Sequence, residues 1–342
     1  MSATCKEIKI LQPTKEIWPG HPDSSISKNI RNKTRIAREN LTFRIEFILL
    51  GFSDFLNIQG FLFVVILVIY MSILLGNGLI IIITNIDPDV QTPMYFFLKN
   101  LSFLEICYTS VMVPRMLKNL WTQSRNISFI ACAVQFYFFL VFRITESLLL
   151  AAMAFDHYVT ICKPLYYPVI MNHKKQVQLV IGSWISGIPV EIQLTYQIFS
   201  LPFCGSNKLN NVFCDIPPLM KIVCGDITMS ELFIFVNAVV FVIPLLLLIL
   251  VSYIKIITTI LKLPSVIGRH KAFSTYSSHF MVVELLFGSE MMAHWIPKCK
   301  KSKGIDKLLS LVYCIGIPMF NPLMYSLRNK DIIAALKKIL PK

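Results

Sequence analysis

Seven apolar runs, each long enough to cross a bilayer, constrain this chain more than any other feature. They fall at about 59–85, 94–117, 129–162, 177–198, 231–261, 272–296 and 307–327. A hydrocarbon core of about 30 Å takes about 20 residues of helix. Inside it a peptide group has no water to bond, so a spanning segment must satisfy its own backbone as a helix or join a closed barrel. The runs lack the period-two alternation of barrel strands, which leaves helices. The first, third and fifth read most plainly. The second carries Lys99 and Glu105 and the sixth carries Glu284, Glu290 and His294, so hydropathy marks those two less sharply. The expected fold is an all-α membrane protein, a seven-transmembrane helix bundle over 59–328. Residues 1–58 hold nine Lys or Arg and no apolar signal core. We expect them to form an extracellular tail, disordered for most of its length.

Composition agrees. Hydrophobic residues make up 55% of the chain and charged ones 15%, against about 25% charged in a soluble domain. The net charge of +14 is spread between the apolar runs and flanks them, which fits a bilayer surface and not nucleic acid. None of the nine cysteines forms a Cys-x-x-Cys pair, which argues against zinc. His157, His279 and His294 lack metal-ligand spacing and no serine sits in a nucleophile elbow. No enzyme and no cofactor is implied, and lone histidines of this kind are usually satisfied structural residues. A transporter or channel is a second alternative, but it would favour inverted repeats and paired broken helices, which are not evident.

The last segment, 329–342, has Ile332, Ile333, Leu336, Ile339 and Leu340 at helical spacing, with Lys330, Lys337, Lys338 and Lys342 between them. This predicts a short amphipathic helix on the cytoplasmic membrane face; a frayed tail is the alternative. Raw Lys and Arg counts do not settle which side is which. The sequons do: Asn40-Leu-Thr, Asn32-Lys-Thr and Asn126-Ile-Ser share one side with Cys132, Cys204, Cys214 and Cys224. Glycans and disulfides belong to the oxidising, extracytoplasmic side. Asn40 is the best glycosylation candidate. Asn126 is weakened by its closeness to the membrane, and Asn32 also ranks below Asn40.

Five strings carry a more specific resemblance. They are Gly76-Asn77 in the first run, Thr92-Pro-Met-Tyr-Phe-Phe-Leu98 with Leu101-Ser-Phe-Leu-Glu105 in the second, and Met153-Ala-Phe-Asp-His-Tyr-Val-Thr-Ile-Cys162 closing the third. Lys271-Ala-Phe-Ser-Thr-Tyr-Ser-Ser-His279 opens the sixth, and Pro318-Met-Phe-Asn-Pro-Leu-Met-Tyr-Ser-Leu-Arg-Asn-Lys330 closes the seventh. Together, and in this order, they resemble the vertebrate odorant receptors, rhodopsin-like G-protein-coupled receptors, over about 47–340.

The resemblance implies disulfides Cys132–Cys214 and Cys204–Cys224, each worth about 2–4 kcal/mol. It implies a ligand cavity between helices 3, 5 and 6, lined by Phe139, Leu140, Arg143, Ile144, Asn237, Phe241, Phe287, Glu290, Met291 and His294. The lining is largely apolar, as a small volatile ligand requires. Glu105, Glu146 and Asn321 would converge in the bundle centre, where two facing carboxylates need a shared proton or a cation between them. A sodium site and a protonated structural pair are both open readings. Asp156, His157, Tyr158, Tyr253, Asn321, Pro322 and Tyr325 would form the coupling and switch face. Pro322 kinks helix 7, and in the family the tyrosine matching Tyr325 swings inward on activation.

Three residues depart from the family pattern. Arg143 stands where a small residue is usual. It either prepares the cavity for a carboxylate or carbonyl ligand, or fills it through an internal bridge to Glu146, Glu284 or Glu290. His157 replaces the arginine of Asp-Arg-Tyr, losing a fixed charge and a fork of donors. Tyr276 replaces a common cysteine. The implied function is an odorant receptor in the plasma membrane, N-terminus outside and C-terminus cytoplasmic, that binds a small organic molecule and activates a stimulatory G protein. The first alternative keeps fold and pocket but has weak or lost coupling.

Overall fold

A computed structural model describes residues 46–52, 57–88, 91–122, 124–204, 206–262, 269, 277, 279–289, 291, 310–324 and 330–339. Five helices in it are long and apolar enough to cross a membrane. They are α1 (Gln59–Ile86), α2 (Pro93–Thr122), α3 (Phe129–Cys162), α4 (His173–Phe199) and α5 (Thr228–Leu261). The sixth run is described as α6, His279–Ser289. The seventh is α7 over 310–324, which contains Ile317–Pro322. The amphipathic helix is α8, Lys330–Ile339.

Local chemistry sets several ends. Ser128 caps α3 by accepting the Ala131 N–H at 3.3 Å, and Asn172 caps α4 by accepting that of Lys175 at 2.9 Å. Two wide π turns, Ala238–Val242 in α5 and Val312–Gly316 in α7, each lead into a proline, Pro244 and Pro318. A proline has no N–H for the carbonyl four residues back, so the helix loosens just before it. Pro322 lies inside α7 and packs closely on Gly76 of α1, where an added Cβ would stand 3.2 Å from the Pro322 Cβ.

Helix α3 is the centre of the bundle, packed against α2, α4 and α5. The main core joins Phe97, Leu101, Met112, Leu149, Met153, Ile249, Leu286 and Ile317 from five of the helices. Lipid-facing positions carry the opposite pattern, with Phe61, Leu75, Ile185, Phe235 and Ile254 exposed.

At one end a three-stranded sheet covers the bundle, in the order β2-β1-β3. Its strands are β1 (Glu46–Leu49), β2 (Asn126–Ser128) and β3 (Lys208–Leu209). β1 is antiparallel to β2, with Phe47 opposite Ile127, and parallel to β3, with Leu49 opposite Leu209. Phe47 and Leu49 point into a core with Phe136 and Leu219, while Glu46 at the start of the strand is exposed and Ile48 between them is half-buried. The segment before residue 59 thus contributes the central strand of this sheet. Gly51, at φ +42°, turns the chain from this strand toward α1. The rest of the tail, with Asn32 and Asn40, lies outside the described residues. At the other end Ile332 and Ala335 of α8 pack on Ile80, Ile83, Tyr95 and Leu98, and Lys338 reaches Asp87 at 3.3 Å. The amphipathic helix is therefore seated on α1 and α2.

The α3–α4 contact is close at Gly187. A Cβ at Gly187 would overlap Cγ2 of Ile144. Gly187→Ala should therefore destabilise the purified protein by about 1–3 kcal/mol through overpacking. Adding Ile144→Ala should cost less than the sum of the two single changes. Unfolding temperatures of the four chains in nanodiscs measure this, and strict additivity would contradict the contact.

Candidate functional site

The sheet end is tied to α3. Cys132 is bonded to Cys214, and Cys204 to Cys224. The loop after α4 is thereby held over the bundle mouth. Gln135 of α3 accepts the Cys214 N–H at 3.3 Å, and Phe213 inserts with its ring 5.2 Å from that of Phe139. The sequon at Asn126 is used structurally: its side chain donates to Glu46 at 3.1 Å, and the Ser128 hydroxyl is the α3 cap.

The expected ligand residues on α3 divide between two faces. Phe139, Arg143 and Glu146 are spaced i, i+4, i+7 and share one side. Phe139 meets Tyr108 of α2, with ring centroids 6.1 Å apart. Leu140 and Ile144 lie on a second side; Ile144 meets Gly187 of α4, and Leu140 joins the core at the sheet end. Phe287 of α6 is buried in the main core, Asn237 and Phe241 of α5 are half-buried, and Met291 is exposed. Glu290 and His294 lie outside the described residues. A small cavity elsewhere, at the sheet end of α1 and α2, is lined by Phe52, Gln59, Asn119, Arg125 and Val212. It is not the expected ligand site, since none of those residues belongs to α3, α5 or α6.

The polar centre does assemble. Asn321 donates through Nδ2 to Glu105 Oε1, joining α7 to α2. Arg143 Nη1 meets Glu146 Oε2 at 3.2 Å, and both side chains are buried. Glu105 is within electrostatic reach of both Glu146 and Arg143. The carboxylate and amide oxygens alone would suit a small hard cation. Arg143 stands among them, and its guanidinium offsets one of the two carboxylate charges. Among the described residues no group of three or more His, Cys, Asp or Glu is placed to hold a metal. The geometry contains a bridge from Arg143 to Glu146.

At the α8 end, Asp156 is buried and accepts the Tyr167 hydroxyl at 2.9 Å. His157 turns away from it into the bundle. Its ring meets that of His279 edge-on, centroids 5.1 Å apart, and His279 Nδ1 is hydrogen-bonded to the Tyr253 hydroxyl. One histidine pair and one tyrosine so connect α3, α6 and α5. Tyr158 is half-buried beside Phe155, and Tyr325 lies outside the described residues. The expectation missed the parts of His279 and Tyr167. His279 stands in the Ser-Ser-His279 string, but only the packed bundle shows that it meets residue 157.

Removing the guanidinium leaves buried carboxylates without it. Arg143→Met should cost about 3–5 kcal/mol. Exchanging choline for sodium in the buffer should recover part of that loss in the variant and none in the parent chain. Thermal unfolding in the two salts measures it, and an equal sodium response in both chains would contradict an internal cation.

Comparisons with known proteins agree with this geometry. A family model described as olfactory receptor matches residues 66–342. Olfactory receptor 10AG1 of Homo sapiens is 54% identical over 298 residues, 87% of this chain and 99% of that one. Olfactory receptor 10A5 of Homo sapiens is 49% identical over 308 residues, 90% of this chain and 97% of that one. The solved structure of squid rhodopsin superposes with a TM-score of 0.66 at 17% identity, covering 81% of this chain and 79% of that one. At that identity the likeness speaks for the fold alone. The family match and the human relatives together show that the chain belongs to the olfactory receptor family, whose members are multi-pass plasma-membrane receptors and not enzymes.

Proposed function

We propose that this odorant receptor, acting through a G protein, couples to a stimulatory one and takes a small volatile organic ligand between α3, α5 and α6. The sheet end is extracellular on this reading, which places the disulfides and sequons outside and α8 in the cytoplasm. The ligand would lie against Leu140, Ile144, Asn237, Phe241 and Phe287, with Glu290, Met291 and His294 toward the mouth. The domain division follows, with the tail outside up to β1, the bundle over 59–328 and the cytoplasmic helix beyond it. Asn40 remains the favoured glycosylation site, ahead of Asn32. Asn126 is disfavoured because its amide is already engaged by Glu46.

The observation that carries the reading is the contact of His157 with His279 and of His279 with Tyr253. It holds α6 against α3 at the end where a G protein would enter. A ligand that binds better when α6 has swung out shifts the population toward that state by its differential affinity. The same observation supports a second reading. His157 is 4% exposed and engaged inside the bundle, so an open state could lack a residue for the G protein to meet.

Cyclic-AMP production in cells separates the two, with His157 and His157→Arg chains matched by surface staining. The first reading expects an odorant-dependent rise from the wild-type chain. The second expects a rise only from the arginine variant. A fall in cyclic AMP, or a response by another messenger alone, would remove the stimulatory assignment.

A further inference from the structure

One carboxyl group in the bundle takes no part in the features above. Glu191, in α4, is 8% exposed, and its Oε2 is enclosed with no hydrogen-bond partner. Among the described residues no ion pair reaches it. An ionisable group inside a membrane is costly and marks a site by default, with its partner to be identified.

The helix face of Glu191 is fixed by its neighbours. Residues 187, 191, 194 and 198 are spaced i, i+4, i+7, i+11, one face of a helix. Gly187 on that face touches Ile144 of α3. Leu194 and Ile198 share a core with Phe136 of α3, against which Phe233 and Ile234 of α5 pack. Glu191 therefore looks into the junction of α3 with α5, between the levels of Ile144 and Phe136, which is the level of Leu140. Asn237 lies one turn beyond Phe233 along α5. Its amide donates to the Phe233 carbonyl at 2.8 Å and makes no hydrogen bond to Glu191 Oε2. Arg143 does not serve it either, being engaged with Glu146 on the other side of α3. One turn along α4, the Thr195 hydroxyl oxygen is likewise enclosed without a partner.

We propose that Glu191, with Thr195 beside it, is the polar end of the ligand site and that the receptor is tuned to small apolar amines. This rests on the placement of the ligand between α3, α5 and α6. An ammonium group has three N–H donors and no acceptor. The Glu191 carboxylate takes the charge and one or two of those donors, the Thr195 oxygen takes another, and the hydrocarbon part lies against Leu140 and Ile144. Away from water such a charge-assisted contact discriminates strongly between an amine and a neutral molecule of the same shape.

The test uses the full-length receptor purified into lipid nanodiscs. The probes are n-hexylamine, cyclohexylamine and phenethylamine, each with the corresponding alcohol. Binding is read as the ligand-induced rise in unfolding temperature, and cyclic AMP is read in parallel in cells. The amines are expected to stabilise the wild-type chain more than the alcohols do. Glu191→Gln should weaken the amines about ten- to a hundredfold and leave the alcohols unchanged. Glu191→Asp should retain part of the amine preference. Unliganded unfolding temperatures show whether either variant is damaged. No amine preference in the wild-type chain, or one that glutamine leaves intact, overturns the proposal. Equal binding of alcohols by every chain, with no amine preference, removes the amine assignment and leaves the receptor reading standing. Failure of all six compounds to bind or signal counts against both.

Discussion

Hydrocarbon offers a peptide group nothing to bond with, and the fold answers that constraint around one helix. Each spanning segment satisfies its backbone internally, and buried hydroxyls do the same. Thr109, Thr145 and Ser183 each return a hydrogen bond of 2.7–2.8 Å to the carbonyl four residues back. Polar groups that cannot satisfy themselves in this way must find partners across helices. They do so mainly along α3, which α2, α4 and α5 enclose. Gln135, the Arg143–Glu146 pair and His157 mark successive levels of that helix, facing the loop after α4, the polar centre with α2 and α7, and α6.

The charged centre and the histidine pair are two solutions to the same problem. Arg143, Glu146, Glu105 and Asn321 bring α2, α3 and α7 to one point. Such a buried cluster contributes little net stability, because desolvation offsets most of the attraction, but it is costly to break on one side. It therefore fixes relative position. At the α8 end His157, His279 and Tyr253 do this with ring and hydrogen-bonding contacts. A fixed charge there would need a carboxylate, and Asp156 is already taken by Tyr167. On the proposed reading the first cluster is the stable pivot, and the second is the contact that parts.

Several features were legible because they are local. Helix positions follow from run length and hydropathy, and the motif strings at their ends identify the family. Helix ends were less legible. α2 runs to Thr122 and not to 117, and α4 begins at His173 under the Asn172 cap and not at 177. β1 was not legible at all. Four residues, Glu46 to Leu49, form a strand only because Asn126–Ser128 and Lys208–Leu209 lie on either side. The expected ligand list joined two faces of α3, since it followed position along the chain and not direction around the helix. Glu191 drew no notice as one charge near the end of an apolar run.

The sequence by itself determined that this chain crosses a membrane seven times as helices and belongs with the odorant receptors. Apolar length and short motifs are properties of contiguous residues, and the solvent imposes the helix. Only the tertiary structure decided which polar groups are matched. It gave Arg143 to Glu146 and Asn321 to Glu105, turned His157 onto His279, and left Glu191 facing the junction of α3 and α5. Whether a buried charge has a partner depends on which helices are neighbours and how each is rotated. Packing sets both, through contacts such as Gly187 on Ile144 that lie 43 positions apart in the chain.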